Sequence, residues 1–326
     1  MVTPPSSYDF VTAEDTGETL AVNLRTGEAV PAKRLTVPEG SIVRTPDQQR
    51  FLKEYYAEKN EEAFTRRRTK GRKFFFTAQQ DDRFSDVAPA HMARLVYLAT
   101  YLNYDGLLCH YNADKPVTRA ELPRLLCISK TPTEQFYKAV VGKYIMERDG
   151  KLYMPRDFCF RGSLPEDDAP YMRVFIDAIR ELYRKTKPSQ HKWLGYVFRL
   201  LPYVNREYNA LCHNPGETDL HKLDWISLDE LCALCGYDRK HRYRILKIYR
   251  DLTFRTERGE EVFCSFVTEG GDWDTAKIYV NPNVLYKGHR WNKVEILGEF
   301  CTPRKPRHKA EHRRLPSRIP DNPAIQ

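Results

Sequence analysis

The sequence predicts an α+β chain, mainly helical, in which two diverged copies of one small helix-turn-helix module follow a short β-rich segment. Three observations carry this reading. Residues 151–162 (KLYMPRDFCFRG) and 277–288 (KIYVNPNVLYKG) align without a gap as Lys-apolar-Tyr-apolar-x-x-(Asp/Asn)-apolar-apolar-aromatic-basic-Gly. Upstream, Leu102-Asn103 and Leu108-Cys109-His110 are echoed in the same order by Val204-Asn205 and Leu211-Cys212-His213. Between those blocks, Val117-Thr118-x-x-Glu121-Leu122 is matched by Ile226-Ser227-x-x-Glu230-Leu231.

The elements follow in order. Residues 1–48 alternate β-branched residues with turn signals, so Phe10–Thr12, Leu20–Val22 and Ser41–Val43 read as short strands. The turns between them are Asp15-Thr16-Gly17 and Arg25-Thr26-Gly27. A helix is expected over 46–64, with Phe51, Leu52, Tyr55 and Tyr56 on one side. Next comes Arg66–Lys73, six basic residues in eight, and then the strand Phe74–Phe76. In the first module Pro89 opens a helix over His91–Asn103, and Gly106–His110 reads as a short strand. Thr118 and Glu121 form a capping box, in which each side chain satisfies a free backbone N–H of the other. The second helix runs to Leu126, the third from Thr131 to Met146, and a hairpin turn at Arg148-Asp149-Gly150 leads into Leu152–Met154.

The second module repeats the order. Its first helix covers Trp193–Asn205 and its strand Ala210–His213. Its capping box is Ser227/Glu230, Gly236 makes the turn, and its third helix covers Asp238–Leu252. The hairpin is longer, Thr253–Val280, with a turn at Gly270-Gly271-Asp272. Helix, strand, capped helix, turn, helix, hairpin is the winged-helix order, so two tandem winged-helix domains are expected. The resulting boundaries are 1–86 for the N-terminal strands, helix and basic run, 87–164 and 190–290 for the two modules, and 291–326 for a basic, disordered tail. Between the modules, 165–189 is expected to be a linker helix, with Met172, Phe175, Ile176, Ile179 and Leu182 at helical spacing.

Composition narrows the function. The chain has 326 residues, 41% hydrophobic and 30% charged, with a mean hydropathy of −0.64. No apolar run approaches the roughly 20 residues of a spanning helix, and the N-terminus does not read as a secretory signal. A cytoplasmic protein is therefore expected. Eight cysteines are too sparse for a disulfide scaffold. Cys232 and Cys235 have metal-like spacing but lack a second pair, so no metal and no cofactor is expected. Catalysis is not expected either, since there is no His-x-His metal pair, phosphate loop or nucleophile elbow. The formal charge of +9 favours a polyanionic partner.

The charge is concentrated where a helix-turn-helix reads DNA. In the third helix of the second module Ile245, Ile248, Tyr249 and Leu252 face the core. Arg239, Lys240, Arg242, Tyr243, Arg244, Lys247 and Arg250 are left for the duplex. Arg239, Arg242 and Tyr243 lie in the half that enters the major groove, and arginine can bond guanine with both arms. Lys247 and Arg250 are better placed for phosphates. The first module offers Lys130, Thr131, Thr133, Gln135 and Lys138 at the corresponding helix, with Glu134 opposing phosphate. Two readings remain for it, a weaker DNA contact and a protein-contact or dimerisation surface. Arg66, Arg67, Arg68, Lys70 and Arg72, together with the tail, are expected to clamp phosphates without reading sequence.

The stretch Lys277–Gly288, with its Asn281-Pro282, apolar and aromatic residues and Lys287-Gly288, resembles the closing motif of RepL-type replication proteins of Firmicute plasmids and related winged-helix proteins of phages and integrative elements. The Leu24–Gly27 turn is similar too. The resemblance spans about the last hundred residues and implies an origin-binding replication initiator. The expected partners are double-stranded DNA carrying repeats at an origin or operator, a second copy of the chain, and host replication proteins. A transcriptional regulator of a mobile element and a non-catalytic replisome or partition scaffold remain as alternatives. In two copies of one module Tyr153 and Tyr279 must lie in equivalent strands, and either one in a helix would overturn the duplication.

Overall fold

The computed structural model describes residues 8–12, 19–23, 26–31, 46–79, 86–110, 115–164, 171–268, 273 and 275–301. The fold is α+β, and the chain divides into a small unit up to Ala57 and a large one from Glu58 onward. In the small unit β1 (Tyr8–Thr12), β2 (Thr19–Asn23) and β3 (Ala29–Pro31) form an antiparallel sheet in that order. The third strand is thus Ala29–Pro31, while Ser41–Val43 lies outside the described residues. The β2–β3 turn closes through Gly27 N–H donating to Asn23 O at 2.8 Å, with Gly27 at φ +72°. Helix α1 (Pro46–Thr69) begins in this unit, and there it leaves Phe51 and Tyr56 largely exposed.

In the large unit α1 continues to Thr69, so Arg66, Arg67 and Arg68 form its last turn instead of a separate basic loop. Cations belong there, beside the negative end of the helix dipole. Strand β4 (Phe74–Ala78) follows, and then the first module: α2 (Pro89–Ala99), α3 (Leu122–Leu125), α4 (Lys130–Val140), β5 (Met146–Arg148), β6 (Lys151–Tyr153) and β7 (Cys159–Phe160). Helix α4 stops at Val140 instead of Met146, because Val141 turns extended and Gly142 takes φ +84°.

The segment expected as a linker helix is split. Tyr171–Phe175 forms strand β8, and only Ile176–Lys185 forms a helix, α5. Met172, Val174 and Ile176 are fully buried, so this segment is core. The second module is α6 (His191–Arg199), α7 (Leu228–Leu234), α8 (Arg242–Asp251), β9 (Thr253–Thr256), β10 (Gly259–Val262), β11 (Cys264–Val267), β12 (Lys277–Val280) and β13 (Leu285–Tyr286). Helix α9 (Trp291–Gly298) follows, with Trp291 fully buried, so the expected disordered tail is ordered at least to 301. The tail proper, 302–326, lies outside the described residues.

The two copies share their backbone hydrogen bonds as well as their element order. Leu108 N–H donates to Leu152 O at 2.8 Å, and Leu211 N–H to Ile278 O at 2.9 Å. Cys109 N–H reaches Tyr101 O at 2.7 Å, and Cys212 N–H reaches Tyr203 O at 2.8 Å. The expected short strands at 106–110 and 210–213 are single bridges, Leu107↔Tyr153 and Ala210↔Tyr279 among them. Tyr153 and Tyr279 therefore occupy equivalent strands, β6 and β12. The repeated asparagines explain themselves. Asn103 Oδ1 accepts from Asp105 and Leu107 N–H, and Asn205 Oδ1 accepts from Glu207 and Tyr208 N–H, closing the same turn after the first helix. The hairpin β9–β10 has no counterpart in the first module and, with the longer connection between β11 and β12, lengthens the second.

A four-stranded sheet in the order β13-β8-β4-β7 joins the copies. Phe76 pairs with Phe160 on one edge, Arg173 with Tyr286 on the other, and Phe76 with Arg173 in the centre. Phe160 and Tyr286 are equivalent in the repeat, so Phe76 and Arg173 are too, and a local two-fold axis passes between them. Helices α2 and α6, also equivalent, pack together, and one continuous core cluster takes side chains from both modules. The two expected domains thus share a core.

Two residues at this junction give testable consequences. A Cβ on Gly195 of α6 would sit 1.6 Å from Pro89 O at the start of α2. An exposed helical Gly→Ala change gains about 1 kcal/mol, but Gly195→Ala is expected to destabilise by about 2–3 kcal/mol through overpacking, measured by denaturant unfolding. His191 is 1% exposed and stacks on Tyr183 with ring centroids 4.2 Å apart. Burial first, and the Arg94 charge second, push its imidazole down to about 4 from 6.5. The unfolded state then takes up the proton first, so this contribution is intact above 6.5 and is lost as pH falls towards 4. Unfolding curves across that window should show the loss, and His191→Phe should flatten it.

Candidate nucleic-acid interface

Helix α7 begins with a complete capping box. Ser227 N–H donates to Glu230 Oε2 at 2.8 Å, and Ser227 Oγ accepts from Glu230 N–H at 3.2 Å. The Ser227 N–H above all, and then the Ser227 hydroxyl, which donates to Glu230 Oε2 at 2.8 Å, hold the Glu230 carboxyl below its usual range. The helix ends at Gly236, whose φ of +61° lets the chain reverse. Asp238 caps the next turn by accepting from Lys240 N–H at 2.9 Å, and a single 3-10 turn, Arg239–His241, leads into α8. The first module opens α3 with the same box, Thr118 with Glu121. In each copy a histidine reaches the capping glutamate, His110 at 3.2 Å and His213 at 3.3 Å.

Helix α8 buries Ile245, Leu246, Tyr249 and the following Leu252, and half-buries Ile248. Its opposite face and the preceding turn expose Arg239, Lys240, Tyr243, Arg244, Lys247 and Arg250, with Arg242 half-buried. Lys240, Arg244 and Lys247 have no ion-pair partner among the described residues, while Arg250 lies 4.6 Å from the ring centroid of Trp273. Arg239 and Arg242 both bond Asp229, in the first turn of α7, with Arg242 Nη1 at 3.2 Å from Oδ1. The Asp229 carboxyl is held below its usual range by Arg239 above all.

The first module presents a different surface. Lys130, Thr131, Gln135 and Lys138 are exposed on α4. Thr133 is not: it is 2% exposed and its hydroxyl donates to Ser129 O at 2.9 Å, so it faces the interior and is removed from the candidate contacts. Arg119, at the start of the preceding helix, pairs with Glu134 at 2.6 Å and lies 4.4 Å from the Tyr137 ring centroid. Tyr137 bonds Glu147 of β5, and burial, with that carboxylate, pushes its hydroxyl up to about 12.

The basic run divides by role. Arg66, Arg67 and Lys70 are exposed. Arg68 pairs with Glu295 at 3.5 Å. Arg72 donates to Asn283 Oδ1 at 2.9 Å and Asn283 O at 2.8 Å, and lies 3.9 Å from the Phe175 ring centroid. It pins β4 to the Asn281-Pro282-Asn283 loop, which corrects its assignment as a phosphate clamp. The same loop holds the extra hairpin. Asn281 and Asn283 donate to the fully buried Glu261 at 2.9 and 3.0 Å, and Arg258 neutralises that carboxylate at 2.9 Å. A groove of about 620 Å³ is lined by Arg67, Arg68, Lys70, Arg72, Arg255 and Arg258 together with Asp177, Glu181 and Glu257.

Cys232 and Cys235 are buried, and burial pushes the Cys235 thiol up to about 12, which opposes the thiolate that a metal needs. No metal-binding cluster occurs among the described residues, and no helix there is long and apolar enough to cross a membrane. The residues that sequence reasoning missed are Asp229, Arg119 and Trp273. Only the packing of α7 against the start of α8 brings Asp229 to two arginines ten and thirteen residues away. No known family model, no characterised protein and no solved structure matches the chain.

The cap carries a prediction of its own. Ser227→Ala removes the acceptor that starts α7 and is expected to cost about 1 kcal/mol. Chemical denaturation measures it, and Ser227→Asp, which keeps an acceptor, should recover most of the loss.

Proposed function

We propose that the chain binds double-stranded DNA sequence-specifically through tandem winged helices, and that it acts as the replication initiator of a plasmid, phage or integrative element. The observation that carries this reading is the exposed cationic face of Arg239, Lys240, Arg244 and Lys247, with Arg242 and Tyr243, following a capped helix and a tight turn. In a helix-turn-helix that position meets the major groove, where arginine bonds guanine with two arms. The antiparallel pair β11–β12, which comes after α8 in the chain, supports the winged-helix reading. The first module contributes less to DNA affinity on this reading, because Glu134 is fixed on α4 where the second module carries cations. The initiator role rests on the resemblance carried by Lys277–Gly288.

Selection of duplexes from a randomised pool by the full-length protein tests the binding reading directly. A reproducible enriched sequence is expected, and a failure to enrich any would overturn it. Because the two modules share a core, their contributions are best separated by point variants of the whole chain. Arg242→Ala should weaken binding to the enriched duplex by about tenfold to a hundredfold, the value of a lost bidentate contact. Lys247→Ala should weaken binding to every duplex alike and lower the salt slope by about one. Footprinting in a cell that carries the element tests the role: occupied repeats at its origin support initiation, and scattered promoters support a regulator.

A further inference from the structure

We propose that Asp229 is a positioning residue for base recognition, holding Arg239 and Arg242 as one fixed pair of guanidinium groups at the entrance to α8. This rests on the DNA-reading role of α8. Asp229 belongs to the helix before the recognition segment, and its two oxygens are divided between the two arginines: Arg239 on Oδ2 and Arg242 on Oδ1. Arg242 is fixed further by Tyr243, whose hydroxyl it reaches at 3.4 Å and whose ring centroid lies 5.2 Å away.

An arginine with a free side chain must lose several rotors before it can bond a base edge, and an anchored one has lost them already. The same carboxylate repels phosphate, which lowers affinity for every sequence equally. Anchoring therefore raises affinity for the cognate duplex and with it discrimination, whereas the phosphate repulsion is common to every duplex and cancels in the ratio. The Arg239 pair contributes little to stability, because that side chain is 68% exposed, while the Arg242 pair, 27% exposed on each side, also ties α8 to α7. The first module supports the assignment by contrast. There the tie between the same two elements has the opposite sign, Arg119 from the preceding helix and Glu134 from α4, so no cation is anchored for a base.

The test uses the full-length protein, the duplex enriched by the wild type and an unrelated duplex of equal length. Asp229→Ala should lower the ratio of the two affinities at least tenfold. Affinity for the unrelated duplex should be unchanged or tighter, and the unfolding midpoint should fall only slightly, by the loss of a first-turn carboxylate and its pair with Arg242. Asp229→Glu, which keeps a carboxylate, should retain more discrimination than Asp229→Ala. Asp229→Asn keeps hydrogen-bonding capacity and serves should the alanine variant unfold; it is expected to lie between the two. An undiminished ratio in Asp229→Ala would overturn the proposal. So would an equal loss on both duplexes, which marks a merely structural role. A wild-type protein that discriminates no duplex would instead remove the DNA-reading role of α8, and the proposal with it.

Discussion

The pairing of β4 with β8 is the constraint on which the large unit depends. Ninety-seven residues separate Phe76 from Arg173, yet they lie opposite each other at the centre of the sheet. Each strand also holds its own module's closing strand at the outer edge, β7 on β4 and β13 on β8. One symmetric pair of strands therefore fixes both modules, and the packing of α2 on α6 closes the other side of the junction. Small residues are required where those helices meet, which is why Gly195 lies against the backbone of Pro89. A duplicated chain arranged this way buries the surface that a separate module would leave exposed, and that gain favours the shared core over two independent domains.

The copies have diverged where their surfaces face outward and stayed alike where backbone hydrogen bonds are at stake. The capping boxes, the turn asparagines and the bridges beneath Tyr153 and Tyr279 recur because a buried backbone group left unpaired is costly at either place. The third helices are free of that requirement on their outer faces. There α8 carries arginines and lysines, whereas α4 carries threonine, glutamine, Glu134 and two lysines. An ion pair links the second helix to the start of the third in both copies, but between different positions and with opposite sign.

The insertion in the second module is secured by buried charge. Glu261 is fully buried and is satisfied by Arg258, Thr256, Asn281 and Asn283. A carboxylate in that setting is tolerable only with such a complete set of partners. The Asn-Pro-Asn sequence, which in the linear chain suggests a family motif, thus has a plain mechanical role. It joins the extra hairpin and, through Arg72, the end of α1 to the closing strand.

The internal repeat, the helices of each copy, the capped second helices and the cationic face of α8 are legible in the linear chain, whereas the division of 253–280 into two hairpins and the closing strands β7 and β13 are not. The legible features follow from local rules: a capping box needs residues three apart, and an amphipathic helix shows its buried side in its spacing. Tertiary structure alone decided the rest. Met172, Phe175 and Ile176 have helical spacing, yet Tyr171–Phe175 is a strand, because Phe74–Ala78 on one side and Leu285–Tyr286 on the other offer it hydrogen-bonding partners. Spacing cannot distinguish a buried strand from a helix when both faces are covered. Thr133 and Arg72 read as surface contacts from their residue types, and both were withdrawn by neighbours distant in sequence or by the rotation of a helix. Asp229 gave no signal at all, because its meaning lies in the distance to two arginines, and only the packing of α7 against the start of α8 sets that distance.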